Sequence, residues 1–258
     1  MTIAVVTGAA SGIGAAVCRQ YRAAGFEVIG VDLQGVEIDA DLSTKAGRQG
    51  AVDAVLRDTG GCLDRLVCCA GLGPQAEPAS LVAAVNYFGA TAMLDGLFPA
   101  LQRGRQPAAV VVSSIAAVQQ AWAGTPLCEA YFGDDEQRVQ SALAALPQDQ
   151  AGYAAYASSK HAVTLATRLR AATWGSAGVR LNAVAPGAVQ TPLLEAGLTD
   201  PRYAEAIRNY VAPLGRRAQA DEVAALISFV SGETAAFIHG SVLFIDGGMD
   251  AQARPMNF

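Results

Sequence analysis

The 258-residue chain predicts an α/β fold: a doubly wound, seven-stranded parallel sheet with helices on both faces. Three observations predict it. Short β-branched runs alternate with longer helical stretches along the chain. The runs are continuously apolar, as strands buried on both faces must be. A glycine-rich turn joins the first run to the first helical stretch.

Ile3–Val6 is the first strand, and Ile13–Ala24 the first helix, ended by Gly25. Strands follow at Val28–Val31, ending on Asp32, and at Val36–Ala40. Thr44–Arg57 is helical, with Ser43 as its N-cap. Leu66–Ala70 is a buried strand, followed by Gly71-Leu72-Gly73-Pro74 and a helix over Leu81–Leu101. Ala109–Val112 runs into Ser113-Ser114. Tyr156–Trp174 is helical, Val179–Val184 is a strand ended by Pro186-Gly187, Glu222–Val230 is helical, and Val242–Ile245 precedes Asp246-Gly247-Gly248. No repeat or linker interrupts the series, so residues 1–258 are expected to form one domain. A partly helical insertion at about 115–152 breaks the alternation. Within it Glu129–Leu146 looks helical, and Asp134-Asp135-Glu136 reads as a solvated face. A connection of that length has structure or function of its own.

Hydrophobic residues make up 52% of the chain and charged ones 16%, enough for a core without disulfide or structural metal. The net charge of −5 repels phosphate backbones and argues against a nucleic-acid partner. Lys45 and Lys160 are the two lysines beside sixteen arginines, and the two residue types are not chemically interchangeable. Five cysteines without a C-x-x-C pair read as reduced thiols, which points to the cytoplasm. His161 and His239 lie too far apart in sequence to suggest a metal site, and none is expected. The first basic side chain is Arg19, so no signal peptide is expected, and no uninterrupted apolar run approaches a membrane span.

Thr7-Gly8-Ala9-Ala10-Ser11-Gly12-Ile13-Gly14 lies between the first strand and the first helix. Glycines let the backbone approach a pyrophosphate, and a helix N-terminus offers free N–H groups and a positive dipole end. The spacing is G-x-x-x-G-x-G rather than the G-x-G-x-x-G of other Rossmann proteins. Asp32 ends the second strand, where a carboxylate accepts hydrogen bonds from ribose hydroxyls and repels a 2′-phosphate. Leu33-Gln34-Gly35 offers no cation for such a phosphate, so NAD is expected rather than NADP. Tyr156 and Lys160 stand at i and i+4, on one face of a helix. Tyrosine is a general acid/base for moving a proton to or from a carbonyl oxygen, and a neighbouring lysine, with the cationic nicotinamide of NAD⁺, should lower its pKa from ~10.

In this order the motifs resemble the short-chain dehydrogenase/reductase family, from Thr2 to about Gly248. The shared features are T-G-x-x-x-G-I-G at 7–14, Asp41-Leu42, Asn86-Tyr-Phe-Gly89, Ser113-Ser114, Tyr156-x-x-x-Lys160 and Pro186-Gly-x-x-x-Thr191. The resemblance implies a catalytic tetrad of Asn86, Ser114, Tyr156 and Lys160. Ser114 polarises the substrate oxygen, Lys160 also holds the nicotinamide ribose, and Asn86 orders a relay water. It implies cofactor contacts at Gly8, Ser11, Gly12, Ile13, Gly14, Asp32, Leu33, Asp41, Leu42, Ala70, Gly71, Tyr156, Lys160, Pro186, Gly187, Val189 and Thr191. Asp246-Gly247-Gly248 corresponds to a structural closing turn. The family's N-N-A-G is here Cys68-Cys69-Ala70-Gly71, a departure that leaves the tetrad whole.

Within the family, several segments are similar to the bacterial 3α-hydroxysteroid dehydrogenase/carbonyl reductases. They are Ala70–Pro74, Val85–Ala90, Gln106–Val110, the insertion and the ending Arg254–Phe258. The implied reaction is NAD-linked interconversion of a 3α-hydroxysteroid and its ketone, with carbonyl reduction. Ser114, Tyr156, Leu193 and Leu194 would touch the hydrophobic substrate, the two leucines lying on a mobile flap beginning at Thr191. The alternatives are another bulky alicyclic alcohol, such as a bicyclic terpene alcohol, and, remotely, a non-catalytic NAD-binding regulator. The insertion is expected to block or replace one of the family's subunit interfaces. That leaves a homodimer joined through the helix at 221–231 and the last strand.

Overall fold

A computed structural model describes residues 2–256. Asn257 and Phe258, part of the ending noted above, lie outside the described residues. Seven parallel strands form the main sheet: β1 Ile3–Thr7, β2 Glu27–Asp32, β3 Ile38–Asp39, β4 Arg65–Cys68, β5 Ala108–Val112, β6 Arg180–Pro186 and β9 Val242–Ile245. Their spatial order is β3-β2-β1-β4-β5-β6-β9. The chain winds outward from β1 to β3, then returns beside β1 as β4. The gap between β1 and β4 is the switch point at which doubly wound sheets bind ligands.

Burial follows from this topology. Along β1, Val5 packs with α2 (Lys45–Asp58), α4 (Ala90–Leu101) and α7 (Gln148–Ser176). Its neighbours Ala4 and Val6 pack on the other face, against α1 (Gly12–Ala23) and α10 (Ala220–Ser231). A strand whose alternate side chains both meet apolar helices has no polar position to offer, which is why its sequence is continuously apolar.

Several elements differ from expectation. The third strand is cut to Ile38–Asp39, because Glu37 turns back to accept the Gly30 N–H at 2.8 Å. Thr44, not Ser43, caps α2, its hydroxyl accepting from the Gly47 N–H at 3.0 Å. Ala79–Leu101 is not one α-helix: α3 (Ala79–Ala83) and α4 are joined by a π-helical segment, Ala84–Gly89. This 23-residue stretch is apolar enough to cross a membrane by length and composition, and 67% of its apolar window is buried within the protein.

The insertion holds two helices rather than one, α5 (Pro126–Phe132) and α6 (Glu136–Ala144). Gly133-Asp134-Asp135 breaks them apart, and Asp135 caps α6 by accepting from the Arg138 N–H at 2.9 Å. Tyr131 of α5 is fully buried beside Tyr87 and Phe88. The acidic triplet is not all solvated: Glu136 forms an ion pair with Arg48 of α2 in which both side chains are largely buried. Helix α7 begins at Gln148, eight residues before Tyr156, so the tyrosine sits two turns inside a continuous helix.

The flap is also structured. It carries α8 (Pro192–Thr199) and α9 (Ala204–Asn209). Its two ends are drawn together by a small parallel pair, β7 (Val189–Gln190) with β8 (Ala218–Gln219), which the sequence reading missed.

Candidate active site

One cavity of about 550 Å³ opens at the C-terminal ends of the strands and gathers residues from nearly every loop on that edge. Its phosphate end is the β1–α1 turn. Gly8 and Gly12 have φ of 69° and 53°, the left-handed region that disfavours side chains. A side chain on Gly14 would collide with the Gly8 carbonyl oxygen, and one on Gly8 would come within 2.7 Å of the Ala70 nitrogen. Ser11 caps α1 without using its side chain, and no acid lies in the first turn. The amide groups and dipole of that helix end are therefore left for an anion.

Asp32 closes β2 beside this turn. Its carboxylate accepts the Ala10 and Leu33 N–H groups at 3.0 and 2.7 Å, so the acid also shapes the glycine turn. Asp32, Asp41 and Lys160 are the charged side chains on the cavity wall, and no arginine joins them. Hydrogen bonds from Ser43 hold the Asp41 carboxyl below the usual range. These residues fit a dinucleotide diphosphate with an unsubstituted ribose.

The reaction end lies over β5 and α7. The two serines after β5 have different surroundings. Ser113 is buried and bonded to the Lys160 carbonyl at 3.0 Å and the Thr164 hydroxyl at 2.6 Å. Ser114 instead accepts the Ala116 N–H at 3.2 Å and neighbours the Tyr156 hydroxyl. Lys160 is buried, and its ammonium donates to the Val112 carbonyl at 2.9 Å.

In the free protein, desolvation acts on both groups of the Tyr156–Lys160 pair. Burial pushes the Tyr156 phenol above its ordinary value, and the Ser114 hydroxyl recovers only part of that shift. Burial likewise lowers the Lys160 ammonium to about 8. Positive charge beside the phenol, from Lys160 and from the nicotinamide when NAD⁺ is bound, acts against this desolvation.

Asn86 is set back from the cavity wall, within the π-helical segment. Its amide binds Leu72 twice, accepting from the N–H at 2.7 Å and donating to the carbonyl at 3.0 Å. It also donates to the Ser159 hydroxyl at 3.3 Å. A side chain on Gly71 would meet both Asn86 Oδ1 and Lys160 Nζ, at 3.2 and 3.4 Å, so these three groups are contiguous. The widened π turn brings Asn86 towards both the Leu72 loop and α7.

Every other residue expected at the site lines the cavity, from Gly8 through Thr191 to Leu193 and Leu194. Leu72, Leu81 and Val85 add an apolar wall that sequence reasoning missed. They lie on a loop and a broken helix whose course no local pattern reveals. The flap rests on the wall opposite. Gln75 donates to the Leu193 carbonyl at 3.3 Å, and Arg202 pairs with Glu77 and Asp200. Tyr153 donates to Gln119 at 2.8 Å, and Gln119 donates to Tyr210 at 3.0 Å. Thr191 caps α8, accepting from the Leu194 N–H at 3.3 Å.

Cys69 lines the cavity where the family motif has an amide. Burial pushes the Cys68 and Cys69 thiols upward, Cys68 to about 12, so both are protonated and unsuited to be nucleophiles. The two histidines serve the framework: His161 bonds the Ala117 carbonyl at 2.8 Å, and His239 joins Leu181 to Ala171. Among the described residues no cluster of three potential metal ligands occurs. In the closing turn, Asp246 accepts the Gly248 and Asp250 N–H groups.

Comparison with known proteins agrees with this architecture. Residues 2–127 match the short chain dehydrogenase family, and residues 138–250 match the family described as enoyl-(acyl carrier protein) reductase. A 3-alpha-hydroxysteroid dehydrogenase/carbonyl reductase of Comamonas testosteroni is 48% identical, with both chains covered in full. A D-threitol dehydrogenase of Mycolicibacterium smegmatis is 33% identical over 95% of this chain and 92% of its own. The crystal structure of a 3-alpha-hydroxysteroid dehydrogenase from Pseudomonas sp. B-0831, complexed with NADH, is 54% identical with a TM-score of 0.96 and full coverage of both chains. With the fold, the ordered motifs and these relatives in agreement, the chain belongs to the short-chain dehydrogenase/reductase family of oxidoreductases.

Proposed function

We propose that the protein is an NAD(H)-dependent oxidoreductase that interconverts a hydrophobic secondary alcohol and its ketone, acting on 3α-hydroxysteroids and 3-oxosteroids and reducing other carbonyls. One observation carries this reading: a single cavity joins a phosphate-cradling turn, a ribose-binding acid, a Ser–Tyr–Lys group and a leucine-lined flap. The two 3-alpha-hydroxysteroid dehydrogenases at 48% and 54% identity support the steroid class.

The first turn of α1 would hold the diphosphate, and Asp32 the adenosine ribose. With no arginine on the wall, a 2′-phosphate would face Asp32 unpaired, so NAD(H) is preferred to NADP(H). When bound, the nicotinamide supplies or takes up the hydride. Ser114 donates a hydrogen bond to the substrate oxygen and stabilises the charge that develops there. Tyr156 gives its phenolic proton to that oxygen in reduction and takes it back in oxidation. Lys160, held by the Val112 carbonyl, places positive charge beside the phenol and binds the nicotinamide ribose. Asn86 fixes the Leu72 loop behind Lys160, and its carbonyl oxygen can also accept from a relay water. Leu72, Leu81, Val85, Leu193 and Leu194 exclude water and select an apolar ring system.

One domain carries both cofactor and substrate sites. Its free cysteines suit the reducing cytoplasm. The protein forms a homodimer through α10 and β9: Phe229 of α10, Phe244 of β9 and Phe237 of the turn between them are exposed, and β9 is the outer edge of the sheet.

Formation of NADH, followed by absorbance, tests the reading with 3α- and 3β-hydroxysteroids, a bicyclic terpene alcohol and the Tyr156→Phe variant. Turnover selective for the 3α epimer and lost in the variant is the expected result. Faster turnover of the terpene alcohol would overturn the steroid assignment. Tight NADH binding without turnover of any alcohol would overturn catalysis.

A further inference from the structure

The insertion touches the cofactor cavity nowhere, yet one of its side chains is wired to the cavity wall. Arg48 stands one turn inside α2 and is 7% exposed. Its guanidinium works in two directions. Towards the cavity, Nε donates to the Leu42 carbonyl at 2.9 Å, and one terminal nitrogen donates to the Ser43 carbonyl at 2.8 Å. Away from the cavity, both terminal nitrogens grip the Glu136 carboxylate, at 2.7 and 3.1 Å. The guanidinium also lies over the Phe88 ring, 5.6 Å from its centroid.

The loop so held is part of the cofactor site. Asp41, Leu42 and Ser43 line the cavity at the end marked by Asp32 and Leu33. Leu42 is buried and seated on Gly89, where an added side chain would come within 3.2 Å of it. Its position is therefore fixed from two sides, by glycine packing and by the Arg48 bond to its carbonyl.

We propose that Glu136 is a positioning residue for the adenine end of the cofactor site, acting through Arg48. The inference rests on the dinucleotide-binding function above. A largely buried guanidinium needs a counter-charge, and backbone carbonyls supply only partial charge. The bidentate carboxylate also fixes the plane of the guanidinium, and with it the directions of the remaining N–H groups. Without Glu136, Arg48 turns towards water and releases both carbonyls. The Leu42 wall then loosens, although Glu136 touches nothing in the cavity. The insertion thus supports cofactor affinity as well as occupying a helix face.

Adenosine 5′-monophosphate, which carries only the adenine end of the cofactor, is the probe. Its dissociation constant is measured by calorimetry on the full chain for wild type, Glu136→Gln and the double variant Arg48→Met/Glu136→Leu. KM for NAD⁺, kcat, KM for the alcohol at saturating NAD⁺, and the thermal midpoint are measured alongside. In Glu136→Gln, nucleotide affinity falls about tenfold, the NAD⁺ KM rises to match, and kcat and the alcohol KM stay within about twofold. In the double variant an apolar pair replaces the ion pair, so the thermal midpoint recovers while nucleotide binding stays weak. Unchanged nucleotide affinity in a folded Glu136→Gln protein overturns the inference. So does recovery of that affinity in the double variant, which alone decides the matter if the single variant does not fold. A wild-type chain that neither binds the nucleotide nor turns over NAD⁺ overturns the proposed function instead.

Discussion

Ser113 and Ser114 are adjacent, both hydroxylic and both buried, and the geometry gives their alanine variants opposite signatures. Ser114→Ala removes the donor to the reacting oxygen. Loss of one such donor lowers the rate by about 10²–10³, or roughly 2.7–4 kcal/mol of transition-state stabilisation. It also removes the bond to the Ala116 N–H that caps a short 3₁₀ turn, about 1 kcal/mol of stability. Ser113→Ala removes a bond to the Lys160 carbonyl, which still receives the Thr164 hydroxyl at 2.8 Å. Its cost is one net hydrogen bond, about 1 kcal/mol, with nothing lost at the reacting atoms. Both variants therefore melt about 2–4 °C lower, and stability does not separate them. Steady-state kcat/KM does: it falls by about 10²–10³ for Ser114→Ala and by less than about tenfold for Ser113→Ala. The reverse order would refute the assignment of Ser114, and equal losses would show that the pair acts as one unit.

Asp32→Ala should shift preference towards NADP⁺ by at least about tenfold, because a carboxylate–phosphate repulsion disappears; competing initial rates with the two cofactors measure it. Since burial raises the Tyr156 pKa, the phenol stays protonated through neutral pH. Carbonyl reduction should be fastest at neutral pH, and alcohol oxidation should climb on the alkaline side as the phenolate forms, as two pH–rate profiles would show. An oxidation limb with its midpoint below neutral would contradict this. Arg180 donates to five backbone carbonyls, from Val230 to Ile238, around the C-terminal end of α10. Arg180→Ala should cost about 2–4 kcal/mol in a denaturant titration, since charged hydrogen bonds and a helix-dipole partner are lost together. Phe237→Asp should halve the mass seen by light scattering while leaving the monomer folded; an unchanged mass would place the interface elsewhere.

What the sequence revealed depended on how far apart the partners lie. The glycine turn, Asp32 and the Tyr156–Lys160 pair are legible because local spacing sets their geometry. A turn packed against its own helix needs glycine, and i+4 residues share a face. Ser114 could be preferred to Ser113 only by resemblance, since the difference is which neighbour each hydroxyl meets. Glu136 reads as solvated in the sequence because its partner, Arg48, lies 88 residues away. The π-helical turn at Ala84–Gly89 has no distinctive composition and follows from how Asn86 is held. The desolvation of Tyr156 is illegible for the same reason: burial is a property of the fold, whereas charge can be counted along the chain.

The two-residue pairing of β7 with β8 bears on how the protein acquires new specificities. It closes the base of residues 191–217 with main-chain bonds, which do not depend on side-chain identity. Whatever lies between is a tethered excursion, and lengthening a tethered loop is cheap: doubling it costs only about 0.6 kcal/mol. Replacement of this segment by one from a relative should therefore carry substrate preference with it while the sheet and its melting behaviour stay the same. The scaffold would keep the chemistry constant while the excursion is free to vary.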